Sequence, residues 1–565
     1  MENFQTTLRL LNMSNKKIII EEYSSDFNYK KKFNNLTISF NRVAFIFFIF
    51  FLIFIIFSLK IIFLGKTNII KKEFSSNNEF RSTILDRNGV VIAKSVITKN
   101  IGINPKEIID KEKLIINLKL IFPRKNFNEI KKKINEDKFF YLEKKVLRKD
   151  YKKLILLGDK SIKVEQKISR VYPQKNLFSH VLGQIDDNNN GISGIEKYYD
   201  YKLKNLNEPI ILSLDANIQF LIRQELIAAN KIFQNIGSAA ILMNVDSGEI
   251  LSLISFPDFD LNKRESIIDV NYINRATKAV YELGSVFKTF TFAAGLNENV
   301  INTDTPFINL EKKIFCGGNP IGEYDNEIPK DLSAEEILIR SGNIGSVRIA
   351  QKLGVEKYKN FLNDLGILKK ISFDIHEIGQ PHTLNWGKCK LATSSFGHGI
   401  TTTPLQLSVG YAIISNGGYK IKPTLIKDNG IDKYQFKKIL NEDVSTKVNL
   451  ALRKIVSTKE GTAGFADVKG YEVGGKTGTA QKTINGKYSK EKVNTFVSIF
   501  PSSRPKYVLM VLLDEPKINK DYIYNYRDGS GFKYKGNLRN TAGWTTVEIA
   551  GNIIERIGPI LATKY

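Results

Sequence analysis

The sequence predicts an α+β protein behind a single membrane-spanning helix. Three observations carry that expectation. From Val43 to Leu64 the chain reads VAFIFFIFFLIFIIFSLKIIFL, interrupted only by Ser58 and Lys60. About 20 apolar residues suffice for a helix to cross the hydrocarbon core of a bilayer. Two apolar strand–turn–strand segments, SAAILMNVDSGEILSLISF from Ser238 and NTFVSIFPSSRPKYVLMVLLDEP from Asn494, lie far apart and have helical stretches between them. Hairpins separated by helices suit an antiparallel sheet flanked by helices.

Each element follows from its residues. The anchor is longer than the ~7–15 apolar residues of a signal peptide, and no small-residue cleavage site follows, so it is read as uncleaved. Lys16, Lys17, Lys30, Lys31, Lys32 and Arg42 precede it, and Lys60, Lys66, Lys71 and Lys72 follow. The positive-inside rule favours a cytoplasmic tail over 1–42, an anchor over 43–64 and export of the rest. Asn88-Gly89, between two apolar runs, predicts a hairpin with a type I′ turn. The Lys-rich stretch 107–167 has weak helical periodicity and carries no recognisable chemistry. The segment 170–200 is rich in turn residues. Asp215 is a candidate N-cap for a helix that sets Ile218, Leu221, Ile222 and Leu226 on one face. Near the C-terminus Val547, Ile549, Ile553, Ile554 and Ile557 fall largely along one face of a further helix.

Composition narrows the function. With 565 residues, 42% hydrophobic and 25% charged, the chain is neither a disordered polymer nor a polytopic membrane protein. A net charge of +26 permits an anionic partner. The lysines are scattered, however, and no basic stripe or aromatic RNA-binding signature accompanies them. Cys316 and Cys389 make neither a disulfide framework nor a metal site; two ordinary thiols are the expectation, and whether they pair stays open. None of the four histidines has zincin spacing. His398, in SFGHGITTTP, has no G-x-S-x-G elbow to serve and is expected to be a structural or rim residue.

Three short motifs carry the chemistry: Ser285-Val286-Phe287-Lys288, Ser341-Gly342-Asn343 and Lys476-Thr477-Gly478-Thr479. Alone, S-x-x-K means little, since Ser14–Lys17 and Ser489–Lys492 also match, and S-x-N recurs at Ser75–Asn77. Ser285, however, opens the apolar run VFKTFTFAAGL, which reads as a buried helix, and i,i+3 neighbours on a helix sit side by side. A serine is a weak nucleophile until a base takes its proton. A lysine becomes that base when desolvation and a second cation lower its pKa, and Lys476 is placed to be that cation. The run EVGGKTGTAQK reads as a strand on which Gly474, Gly475 and Gly478 let another backbone approach.

In this order the motifs resemble those of the class B penicillin-binding proteins. The resemblance extends from about Arg81 to the C-terminus. RSTILDRNG, RVYPQKNLFSHVLG and GISGIEKYYD are similar to the motifs of the non-catalytic pedestal. NVDSGEILSLISFPDFDLN, NRATKAVYELGSVFK, SFGHGITTTPLQL and GKTGTAQK are similar to those of the transpeptidase domain. The resemblance implies a pedestal, or dimerisation-type module, over 65–232 and a transpeptidase domain over 233–565. It leaves no room for the glycosyltransferase of class A members. The middle residue of Ser341-Gly342-Asn343 also differs from the S-D-N of class A β-lactamases, and their deacylating Glu motif has no counterpart.

The implied activity is that of a serine-type D-Ala-D-Ala transpeptidase of peptidoglycan. Ser285, Lys288, Ser341 and Lys476 would be catalytic. Asn343, Thr477, Gly478 and Thr479 would bind substrate, and the Ser285 and Thr479 N–H groups would form the oxyanion hole. No metal or cofactor is implied. β-Lactams would trap Ser285. The KTGTAQK run and the following DEPK most resemble the septal, FtsI-type enzyme, with the elongation-type enzyme as near rival. The implied setting is the bacterial inner membrane at the division site, with the catalytic domain outside. The implied partners are divisome membrane proteins and a SEDS-family, FtsW-like glycosyltransferase. A penicillin-sensing receptor, a D,D-carboxypeptidase and an inactive divisome scaffold are the alternatives.

Overall fold

The computed structural model describes residues 40–69, 80–146, 148–263, 272–382, 385–428, 430, 433–484, 486–537 and 539–564. The expected tail, as far as residue 39, and the motif copies at Ser14–Lys17 and Ser75–Asn77 lie outside them. Two compact units make up the chain, residues 1–77 and 78–565. The first contains α1 (Phe40–Ile69). Its window Ala44–Ile62 has a mean hydropathy of 3.0, long and apolar enough to cross a membrane.

The second unit opens with a five-stranded sheet. β1 (Ile84–Leu85) pairs antiparallel with β2 (Val91–Ile103). The turn between them is not the expected type I′ turn. Among its residues Gly89 alone has a positive φ, +85°. Asp86 organises the loop instead, its Oδ1 accepting the N–H groups of Asn88 (2.8 Å) and Val90 (2.7 Å). A short polar side chain thus does what a second left-handed residue would otherwise do. The Lys-rich stretch then folds as α2 (Lys111–Ile121), α3 (Phe127–Asn135), β3 (Phe140–Val146), α4 (Arg148–Ile155) and β4 (Ile162–Val171). Asp110 and Asn126 cap α2 and α3. Both strands pair with β2, and the helices close a small core of Ile101, Ile103, Leu114, Leu118, Ile130, Ile134, Leu142 and Leu154. The periodicity did not reveal these strands because Lys163 to Lys167 of β4 are all exposed, so burial does not alternate there.

Three motifs distant in sequence meet at Glu196. Glu196 is fully buried between two arginines. Arg81 Nη2 lies 2.8 Å from its Oε2 and Arg170 Nε 2.7 Å from its Oε1. Arg81 also reaches Asp200 at 2.6 Å. β5 (Ile210–Ile211) then joins β1 in parallel.

Asp215 caps α5 (Ala216–Phe233) as expected, accepting from the N–H groups of Asn217 and Ile218. Ile218, Ile222 and Leu226 are fully buried on one face, and Leu221 is half-buried. The two predicted hairpins form one sheet. β6 (Gly237–Asn244) and β7 (Ile250–Phe256) turn through Asp246-Ser247-Gly248. The later elements that frame the site include α6 (Phe287–Asn297), the hairpin strands β8 (Lys313–Cys316) and β9 (Asn319–Gly322), and α7 (Asn343–Leu353). α8 (Lys388–Ser394), α9 (Pro404–Ser415) and α10 (Glu442–Ser457) follow. Thr403 and Gln406 form a capping box at the start of α9. β10 (Gly474–Ile484), β11 (Lys487–Phe500) and β12 (Tyr507–Asp514) complete the sheet in the order β10-β11-β12-β6-β7, and α11 (Thr546–Lys564) closes the chain.

The sheet is covered on both faces. Val508 to Leu513 are all fully buried although alternate side chains point to opposite sides. α5 and α11 pack on each other and on the sheet, and α9 packs on β6 and β12. Val547, Ile549, Ile553, Ile554 and Ile557 of α11 are fully buried, as their spacing predicts. β10 is an edge strand, so one row of its backbone groups faces no other strand of the sheet.

Cys316 and Cys389 form a disulfide, contrary to the expectation of two ordinary thiols. The bond ties the end of β8 to the start of α8. Residues 73 positions apart meet there, a proximity that nothing local in the sequence encodes.

Candidate active site

Every residue of α6 from Phe287 to Leu296 is buried, which makes it the central helix. Polar groups fix it there. Tyr411 Oη donates to the Val286 carbonyl and accepts from Thr289 Oγ1, both at 2.8 Å. Thr291 Oγ1 donates to the Ser395 carbonyl, also at 2.8 Å. A single helical turn, Gly284–Val286, leads into α6 and carries Ser285, which is half-buried.

That turn lies against the edge strand. Gly284 has φ +63°, and a Cβ there would stand 2.7 Å from the Thr479 carbonyl. A Cβ on Gly478 would stand 2.2 Å from the Leu283 carbonyl. Close backbone approach therefore needs glycine on both sides. Gly474 serves the same end where β10 passes the backbone of α10 at Leu452–Arg453.

Lys288 and Lys476 are among the largest fully buried side chains of the protein. Lys288 Nζ donates to the Ser341 carbonyl, to Ser341 Oγ (3.1 Å) and to Asn343 Oδ1 (2.7 Å). Lys476 Nζ donates to the same Ser341 Oγ (2.8 Å) and to the Thr477 carbonyl (3.3 Å). Ser341 therefore bridges the two amines. Its backbone is left-handed, φ +58°, a strained conformation for a residue with a side chain. Its carbonyl and hydroxyl both meet Lys288.

Burial lowers the Lys288 ammonium to about 7, against an opposing pull from the Glu323 carboxylate. Burial, and then the neighbouring Lys288 charge, hold Lys476 well below the usual lysine range. One desolvated site therefore disfavours two protons on two amines.

The structure brings Lys288, Ser341, Asn343 and Lys476 into one hydrogen-bonded cluster. Ser285 joins them through the backbone contact with β10. Among the described residues no hydrogen bond links Ser285 Oγ to Lys288 Nζ in this resting arrangement; the amine is turned to Ser341 and Asn343. Thr477 Oγ1 meets Thr462 Oγ1 at 2.7 Å, and Thr479 Oγ1 accepts the Ala542 N–H at 3.0 Å. The other motif copy, Ser489 and Lys492, lies on strand β11, where i and i+3 point to opposite faces. His398 stands at the rim, its ring 5.0 Å from that of Phe396 and 6.1 Å from that of Tyr488. Burial, with the Lys288 charge as a lesser cause, lowers its pKa.

One site residue had no signal in the motifs. Glu323, directly after β9, accepts the N–H groups of Asn343 (2.7 Å) and Ile344 (2.8 Å). It lies in a polar hairpin 20 residues from Asn343, and only the fold joins them.

Comparison with known proteins agrees with this architecture. Residues 238–530 match the penicillin-binding protein transpeptidase domain, and residues 77–225 match the penicillin-binding protein dimerisation domain. The chain is 29% identical over 499 residues to the probable peptidoglycan D,D-transpeptidase FtsI of Caulobacter vibrioides, covering 86% of this chain and 82% of that one. It is 29% identical over 510 residues to stage V sporulation protein D of Bacillus subtilis, covering 80% and 77%. The crystal structure of apo penicillin-binding protein 3 from Mycobacterium tuberculosis shares the fold, with a TM-score of 0.63 at 19% identity over 86% of this chain and 96% of that one. With its transpeptidase domain and its dimerisation domain both matched, the chain belongs to the penicillin-binding proteins.

Proposed function

We propose that this chain is a membrane-anchored peptidoglycan D,D-transpeptidase of the septal, FtsI type, working through an acyl-enzyme on Ser285. The observation that carries the reading is the pair of buried lysines sharing Ser341 beneath a serine that faces an edge strand. A donor stem peptide ending in D-Ala-D-Ala lies along β10 and pairs with its free backbone edge. The penultimate carbonyl then faces Ser285. Neutral Lys288 accepts the Ser285 proton as Oγ bonds to the carbonyl carbon. The Ser285 and Thr479 N–H groups receive the developing oxyanion, each such donor being worth about 10²–10³ in rate. The tetrahedral adduct collapses with loss of the terminal D-Ala, and its amine takes a proton relayed through Ser341. An amine of a second stem peptide then attacks the ester and gives up a proton through Ser341 to Lys288, which passes it to Ser285 as the ester bond breaks. Lys476, Thr477 and Thr479 hold the donor carboxylate, and Asn343 orients its amide. A β-lactam enters as the donor does and stays on Ser285.

Domain assignments follow the same reading: a pedestal over 65–232 and a transpeptidase domain over 233–565. The anchor and pedestal are the surfaces we assign to divisome membrane proteins and to a SEDS-family, FtsW-like glycosyltransferase. Resemblance supports that assignment. The septal role draws on the name of the Caulobacter relative. Because a protein named for a sporulation stage is equally identical, localisation is the discriminating experiment. A fluorescent fusion in dividing cells is expected to form mid-cell rings; patches along the side wall would move the protein to the elongation type.

A further inference from the structure

The Ser341-Gly342-Asn343 turn has no cap of its own. α7 starts at Asn343, its N-cap position is Gly342, and no side chain there accepts an N–H. The first N–H groups of a helix need partners from elsewhere. Glu323 supplies them with both carboxylate oxygens, at 2.7 Å to the Asn343 N–H and 2.8 Å to the Ile344 N–H. The preceding carbonyl, Gly322, accepts Asn343 Nδ2 at 2.7 Å. Adjacent residues thus hold both the backbone and the side-chain amide of Asn343. With Nδ2 occupied on Gly322, Oδ1 is turned to Lys288 Nζ at 2.7 Å.

The hairpin that delivers Glu323 is itself held at several points. Cys316, at the end of β8, is bonded to Cys389. Lys312 Nζ donates to the Asn326 carbonyl, and Tyr324 Oη donates to the Arg340 carbonyl at 3.0 Å. Residue 340 immediately precedes Ser341, so the hairpin grips the motif from both ends.

We propose that Glu323 is a positioning residue of the acylation step: through Asn343 it holds the groups that aim the Lys288 amine. The inference rests on Lys288 being the base that activates Ser285. Glu323 also acts on Lys288 by charge. The titratable groups that interact electrostatically with Lys288 among the described residues are Lys476 on β10, His398 beyond α8 and Glu323. Glu323 is the anion of the three, and its pull opposes the lowering of Lys288 by burial. Replacing the carboxylate with a neutral group of the same size therefore has two separable effects. It loosens the turn, and it lets Lys288 lose its proton at lower pH.

The test is the rate of acylation by a fluorescent penicillin, measured on the full chain in detergent between pH 5.5 and 9. Wild type, Glu323→Gln, Glu323→Asp and Ser285→Ala are compared, each with its melting temperature. Glu323→Gln is expected to lower the plateau rate by about 10-fold or more, the order set by a small misplacement of a reacting group. Its pH midpoint is expected to move to lower pH. Glu323→Asp keeps the charge and is expected to restore the midpoint with only part of the rate. A Glu323→Gln protein with wild-type rate and midpoint would overturn the proposal. So would a rate lost only in proportion to unfolded protein with the midpoint unmoved, since that is a purely structural role. If Ser285→Ala labels as wild type does, the assignment of the nucleophile fails first and takes this inference with it.

Discussion

Acylation of Ser285 should level off near neutrality, because burial has brought the Lys288 ammonium to about 7. Lys288 accepts the serine proton only when neutral. With a midpoint near 7 the neutral fraction is about one tenth at pH 6, one half at pH 7 and nine tenths at pH 8. The second-order rate constant is thus expected to rise about tenfold from pH 6 to pH 8 and then flatten. An ordinary lysine near 10.4 would be neutral in only a few parts per ten thousand at pH 7, and the rate would climb about 100-fold over the same interval. Stopped-flow acylation with a fluorescent penicillin reads this directly. A logarithmic rate that climbs with unit slope through pH 9 would refute the desolvated-base argument. A flat profile from pH 5 upward would refute it too, and would point to a carboxylate as the base.

Three further outcomes follow from the packing. Glu196→Ala leaves the Arg170 guanidinium buried without a carboxylate and Arg81 with Asp200 alone; the expected loss is about 3–5 kcal/mol of stability, read by chemical denaturation, and a loss under 1 kcal/mol would contradict it. Gly478→Ala sets a Cβ 2.2 Å from the Leu283 carbonyl, where ordinary contact begins at 3.4 Å. The nucleophile turn and β10 must separate by about 1 Å, and an acylation rate about 10²-fold lower is expected with the fold retained. Replacing both Cys316 and Cys389 with serine opens a cross-link spanning 73 residues. A stability loss of about 2–4 kcal/mol is expected by thermal or urea melting, and an unchanged midpoint would show that the hairpin is held without it.

Local signals were legible wherever a residue's neighbours in sequence are also its neighbours in space. Asp215 caps α5 two and three residues ahead. The hairpins at 237–256 and 487–514 turn where Gly248 and Pro501–Pro505 stand. The stripe from Val547 to Ile557 is buried along its length. The site motifs were legible because Ser285 and Lys288 share one turn and Lys476 to Thr479 share one strand. Long-range contacts were not. Glu323 reaches Asn343 across a hairpin, and Cys316 meets Cys389 only once α8 is packed. The Lys288 amine is turned to Ser341 and Asn343, an arrangement that i,i+3 spacing does not specify. Asn88-Gly89 misled because Asp86, a few residues earlier, offers the loop a side-chain oxygen that competes with the type I′ geometry.

The most direct measurement is the site of covalent attachment. The full chain is incubated with a fluorescent penicillin, denatured, digested and examined by mass spectrometry, beside Ser285→Ala and Ser489→Ala. One adduct is expected, on the peptide carrying Ser285, absent from Ser285→Ala and unchanged in Ser489→Ala. An adduct elsewhere, or a folded wild-type protein that never labels, would contradict it.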